Sequence, residues 1–237
     1  MGVNESQINL DEVVGELLSE LPTNSDISIE LPSGGLAKIR PITFEEEKQM
    51  IAVSKKGQDP SYLLIDKCVS DIDKSDILII DKIYILFKLR ELSFGSMYKF
   101  RVACPSCKNQ SEISIDINEM PVYSVEDADK VAEVELPMCK KLVKVKRASV
   151  NDEALVSDSY KMLDNLWRFV EEFGGRTEKA VIQSVISKLP AGDVNKLVSV
   201  VMCQGYGLST EIMFNCGHCQ HQSKMELPLD KNFFSAS

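Results

Sequence analysis

Two short stretches, CPSC at 104–107 and CGHC at 216–219, constrain this chain more than any other feature. The first is flanked by FRVA and SEISIDI, the second by EIMFN and SKMEL. Alternation at period two predicts strands, so each C-x-x-C is expected at the tip of a β-hairpin. Such a tip aims two thiolates and several backbone N–H groups at one point, the geometry of a zinc knuckle. Zinc takes four ligands in a tetrahedron, with sulfur about 2.3 Å away, and one knuckle supplies two. Three readings follow: one shared site, two metal-free knuckles or an oxidised pair, or a mixed site using His218 or His221. The shared site is the expectation. His218 stands between two cysteines, where ring geometry opposes joint ligation, and His221 lies just beyond the turn. One structural zinc per chain, held by Cys104, Cys107, Cys216 and Cys219, would be a closed site with no open position for water or substrate.

Sliding the chain on itself by 112 positions aligns more than these cysteines. Cys104, Cys107, Gln110 and Ser111 fall on Cys216, Cys219, Gln222 and Ser223, Asp81 on Asp193, and Gly95 on Gly207. The starts of the halves also match. ISIELPSGGLAKIRPIT (27–43) and AEVELPMCKKLVKVKRAS (132–149) share Glu-Leu-Pro, an alternating second strand and a hydroxyl residue that opens a helix. Thr43 with Glu46, and Ser149 with Asp152, read as capping boxes. Helices are expected over about 44–55, 60–70 and 76–92, then about 150–172, 177–188 and 191–204. The fold class is therefore α+β, with internally duplicated hairpin–helices–hairpin units, each ending in a zinc-ribbon-like knuckle. The expected organisation is an N-terminal helix and linker (1–26), a first repeat (27–120), an acidic connector (121–131) and a second repeat (132–237).

The N-terminal segment belongs to neither repeat. Leu10, Val13, Val14, Leu17 and Leu21 form an apolar stripe at helical spacing over about 8–21, followed by the linker Pro22-Thr23-Asn24-Ser25-Asp26. The stripe either packs on its own domain or docks on another protein. No matching segment precedes residue 132, which favours docking, so these five residues are the candidate partner-binding set.

Charge and composition narrow the function classes. The net charge of -9 opposes attraction to a phosphate backbone. KKLVKVKR at 140–147 is the basic exception, and its alternation reads as a strand with one wet face. No run approaches the roughly 18 apolar residues that span a membrane, and MGVNESQINLDEVV carries acidic residues where a secretory leader needs a basic region. A cytosolic chain keeps its thiols reduced, so Cys68, Cys139 and Cys203 read as small buried hydrophobes. Both histidines sit at the second knuckle, and G-x-S-x-G, P-loop and G-x-G-x-x-G motifs are lacking. The expectation is a protein that is not an enzyme and takes no small-molecule substrate. A zinc-ribbon nucleic-acid-binding accessory protein is the alternative. It is disfavoured because the knuckle tips carry one cation, Lys108, between them.

The order ELPSGGLAKIRPITFEEE, IDKIYILFKLRELSFGS, ACPSC and FNCGHC resembles the baseplate hub proteins and hub assembly factors of T-even-type contractile-tailed bacteriophages. The resemblance covers roughly residues 27–234. It implies a late viral protein that works in the host cytoplasm during assembly of the baseplate hub, with other hub or tail proteins as partners and a place in the virion tail. The family brings no catalytic residues to this chain.

Overall fold

Small sheets alternate with helices along this chain, and the thiol hairpins span residues 97–116 and 211–226. The computed structural model describes residues 9–19, 26–125, 131–229 and 233–234. Helix α1 (Leu10–Ser19) comes first, with residues 11–19 exposed. Strands β1 (Ile27–Glu30) and β2 (Leu36–Ile39) pair antiparallel, Ile27 opposite Ile39. Helix α2 (Phe44–Lys55) opens on the expected capping box. The Thr43 side chain accepts from the Glu46 N–H, and the Glu46 carboxylate accepts from the Thr43 N–H at 2.9 Å. Helix α3 (Ser61–Cys68) runs into the two-residue strand β3 (Val69–Ser70), which adds to β2. The helix expected over 60–70 therefore ends two residues early, where Val69 turns extended to pair with Ile39. Helix α4 (Ile79–Phe94) then leads to β4 (Met97–Ala103) and β5 (Gln110–Asp116), a hairpin in register from Met97–Asp116 to Ala103–Gln110.

Sheets and helices alternate again beyond residue 121. After β6 (Val122–Tyr123) come β7 (Val131–Glu135) and β8 (Leu142–Lys146), again an antiparallel pair. The helix expected over 150–172 is divided. Asp152 accepts from the Ser149 N–H at 3.0 Å, yet the turn it opens is a 3-10 turn, Val150–Asp152, before the short α5 (Glu153–Val156). Asp158 then caps α6 (Ser159–Phe169) through the Lys161 N–H at 2.9 Å. Residues 170–173 are not helical: β9 (Val170–Phe173) pairs with β8 and turns at Gly174-Gly175, both at positive φ. Cross-strand pairing and the burial of Val170 at 0% exposure override the helical periodicity there. Helices α7 (Lys179–Ile186) and α8 (Ala191–Val201) follow, then β10 (Gly207–Leu208), which pairs with β6, and the hairpin β11 (Glu211–Asn215) and β12 (Gln222–Glu226).

Burial follows this layout. One core gathers Leu31, Ile39, Met50, Leu64, Ile85 and Leu89; another gathers Leu136, Val143, Val145, Leu166, Phe169 and Leu197. Each such side chain, fully buried, contributes about 1.5–3 kcal/mol. The halves meet at the start of α4, where the Ile79 N–H donates to the Ala148 carbonyl at 3.1 Å and the Val150 N–H to the Ile77 carbonyl at 2.9 Å. A third core, Tyr98 and Phe100 of β4 with Phe87, Leu227 and Phe233, lies under the two thiol hairpins. Arg90, fully buried, anchors that end. Its guanidinium donates to the carbonyls of Gly95 and Met97 and lies over the Tyr98 ring, 5.1 Å from its centroid.

Candidate metal centre

Each thiol pair is built by a six-residue tip. In the first, the Cys104 N–H donates to the Asn109 carbonyl at 2.9 Å and the Lys108 N–H to the Cys104 carbonyl at 3.0 Å. In the second, the Cys216 N–H reaches the His221 carbonyl and the Gln220 N–H the Cys216 carbonyl, both at 2.9 Å. Lys108 and Gln220 hold matching left-handed conformations, φ 62° and 58°. This backbone curls around the first cysteine of each pair and turns the second toward the same side.

Alternation brings the two tips together. Inward-facing Val102 and Ile113 of the first hairpin and Phe214 and Met225 of the second pack in one cluster with Cys104, Cys107 and Cys216. Hydrophobic burial along these faces forces the tips to meet, because both hairpins lay their apolar sides on the same core. The four sulfurs lie within 4.8 Å of one another. Cys104 Sγ is 3.7 Å from Cys219 Sγ, and Cys107 Sγ is 3.7 Å from Cys216 Sγ. A disulfide needs about 2.05 Å, and all seven cysteines are free thiols. Four sulfurs each about 2.3 Å from one zinc form a tetrahedron with edges of about 3.8 Å, so two contacts already have the required length. The donor set, four sulfurs and no oxygen, is what a structural zinc takes. Neither histidine belongs to the cluster; His218 is exposed at its tip.

The thiols differ in electrostatic setting. The N–H groups of Cys219 and His218 point at the Cys216 thiol and lower its pKa to about 6, against the effect of burial. Cys107 moves the other way: the Asn109 N–H pulls it down, but burial and the neighbouring thiols push it up to about 11. Four sulfurs this close repel one another once ionised, and a divalent cation at their centre removes that repulsion.

A third tip repeats the knuckle backbone without the thiol set, and sequence reasoning missed it. Between β7 and β8 the Leu136 N–H donates to the Lys141 carbonyl at 2.9 Å and the Lys140 N–H to the Leu136 carbonyl at 3.1 Å, with φ 55° at Lys140. Leu136 takes the place of the first cysteine and Cys139 that of the second. The N–H groups of Met138 and Cys139, which match those of His218 and Cys219, donate to the Asp193 carboxylate at 2.7 and 3.0 Å. A carboxylate from the first turn of α8 thus stands where a thiolate stands in the knuckles. Asp81, from the first turn of α4, serves the β1–β2 tip likewise, accepting from the Ser33 N–H at 3.0 Å. The legible signal was LPMCKK beside CPSCKN, a proline, a cysteine and a lysine at the same spacing.

The other candidate residues stand apart from the thiols. Val13, Val14 and Leu17 are 41, 43 and 61% exposed on α1; Leu10 begins that helix, and Leu21 lies outside the described residues. Part of the 121–131 connector is ordered as β6, while 126–130 lie outside the described residues. The basic strand β8 has its lysines engaged: Lys144 with Glu172 at 2.9 Å and Lys146 with Asp152 at 3.0 Å. Among the described residues, no helix is long and apolar enough to cross a membrane.

These features define an α+β protein in which two distant thiol hairpins converge on one four-cysteine cluster with the spacing of a metal site. The family model described as T4 bacteriophage base plate protein matches residues 24–235, and the chain belongs to that family. Membership supports a structural role in the phage tail, among other tail proteins. No curated protein and no solved structure matches the chain.

Proposed function

We propose that this protein is a non-enzymatic component or assembly factor of the baseplate hub of a contractile tail, made late in infection and assembled in the host cytoplasm. The observation that carries this reading is the family match over nearly the whole chain. In this reading Cys104, Cys107, Cys216 and Cys219 hold one zinc, which clamps two duplicated units, 27–120 and 132–237, joined by the connector at 121–131. Support for the clamp is the sulfur spacing. Support for duplication is the matching order of β1-β2-β3 and β7-β8-β9, together with the equivalent duties of Asp81 and Asp193. Helix α1, with Leu10, Val13, Val14 and Leu17 of the apolar stripe that the sequence continues to Leu21, docks on a neighbouring baseplate protein in the helix-in-groove manner.

Mass spectrometry of purified virions and of tail-assembly intermediates tests the assignment. Presence in both makes the chain a structural subunit, and presence in the intermediates alone makes it an assembly factor. Absence from both overturns the reading. Deletion of residues 1–24 is expected to leave the melting temperature nearly unchanged and to abolish co-purification with tail proteins.

A further inference from the structure

The four thiols offer a second way of joining the hairpins. Two of their contacts, Cys104–Cys219 and Cys107–Cys216, cross from one hairpin to the other at 3.7 Å. They share no cysteine, so both can become covalent in one molecule. A disulfide needs about 2.05 Å, which leaves each sulfur about 0.8 Å to travel. Within each contact one thiol is accessible and the other enclosed. Cys219 is exposed and Cys107 half-buried, whereas Cys104 and Cys216 are 0 and 1% exposed. An open thiol can attack an oxidant, and the enclosed one beside it resolves the product. Cys68, Cys139 and Cys203 lie in three different apolar clusters and have no such neighbour among the described residues.

We propose that this cluster is a redox-convertible clasp, in which two inter-hairpin disulfides replace the metal as the tie between the hairpins. The oxidant is a small-molecule disulfide of the glutathione type. The Cys219 sulfur attacks it, forming a mixed disulfide and expelling one thiolate. The Cys104 sulfur then attacks the Cys219 sulfur and expels the second. The two cysteines lose two protons, and two electrons reduce the oxidant to two thiols. Cys107 and Cys216 repeat the exchange with a second oxidant molecule. Each bond withdraws two sulfurs from the metal site, so a bound cation leaves. Val102, Ile113, Phe214 and Met225 pack with these cysteines and keep the tips opposed meanwhile. A bond inside either C-x-x-C would close a loop of a few residues and leave the hairpins unjoined. The inter-hairpin bonds close loops of 109 and 115 residues, which restricts the unfolded chain far more. The physiological setting rests on the reading of the chain as a tail protein: thiols stay reduced in the cytoplasm during assembly, and a released particle meets oxidising surroundings.

Oxidised glutathione added to the purified full chain, with a chromogenic chelator present to record metal release, tests this. Free thiols should fall from seven to the three of Cys68, Cys139 and Cys203. Peptide mapping without reductant should find Cys104 joined to Cys219 and Cys107 to Cys216, in a single-chain species. Any bound zinc should appear in the chelator in step with thiol loss. The oxidised protein should melt above chelator-stripped, reduced protein, and a reductant should erase the difference. Cys219→Ser should leave Cys104 reduced and the Cys107–Cys216 bond intact. Bonds within the C-x-x-C pairs, bonds between chains, or seven thiols that stay reduced after the metal is stripped would each overturn the clasp. All of these are read on the purified chain, so they stand or fall apart from its place in the tail.

Discussion

Removing the metal should uncouple the two thiol hairpins, and the structure sets the size of the effect. A cation held by all four sulfurs ties Cys107 to Cys216, 109 residues apart, and Cys104 to Cys219, 115 apart. In the chain-entropy model a cross-link closing about 100 residues restricts the unfolded chain by roughly 4.7 kcal/mol. For a chain of this length each kcal/mol moves the melting temperature by roughly 2–4 °C, so loss of the clamp corresponds to roughly 10–20 °C. The expected outcome is one zinc per chain by elemental analysis, and a melting curve displaced downward by that amount when a chelator strips it. Cys104→Ser and Cys216→Ser should cost the same, because each leaves three thiols in a site that wants four. Two metals per chain, or none in protein purified without chelator, would refute the shared site. A large inequality between the two serine variants would mean that the knuckles act separately.

Three further outcomes test other parts of the structure. The Arg40 guanidinium, 2.6 Å away, holds the Glu46 carboxyl down to about 2. Its folded value is depressed, so its contribution is present above the unfolded value of 4.5 and is lost as pH falls toward 2. Glu46→Gln should flatten the acid limb of the stability profile and cost about 1–2 kcal/mol at neutral pH, less than the whole shift implies because Arg40 keeps some solvent. A Cβ at Gly207 would sit 2.9 Å from Ile80 Cβ at φ +86°, so Gly207→Ala should lower stability by about 1–3 kcal/mol in denaturant titration; a neutral result would mean that β10 moves freely from α4. Arg90→Lys keeps the charge but loses the fork that binds Gly95 and Met97, and should cost about 1.5–3 kcal/mol. Unchanged unfolding would show that the α4–β4 corner is held by packing alone.

Local chemistry determined a large part of this protein. The capping box of Thr43 and Glu46 and the hairpins around CPSC and CGHC are legible because each depends on residue types at short, fixed spacing. A thiol pair on a tight turn and a carboxylate in a first helical turn behave alike wherever the chain places them. Residues 170–173 show where that legibility ends: VEEF continues a helical pattern, and only pairing with β8 makes it a strand. The carboxylate at the Leu136–Lys141 tip was hidden for a related reason, since Asp193 lies 55 residues from Met138. The sequence alone placed four cysteines on two knuckles; bringing their sulfurs within 4.8 Å depended on the packing of Val102, Ile113, Phe214 and Met225 beneath them. Burial acts between faces that are remote along the chain, so the tertiary structure alone decided that encounter.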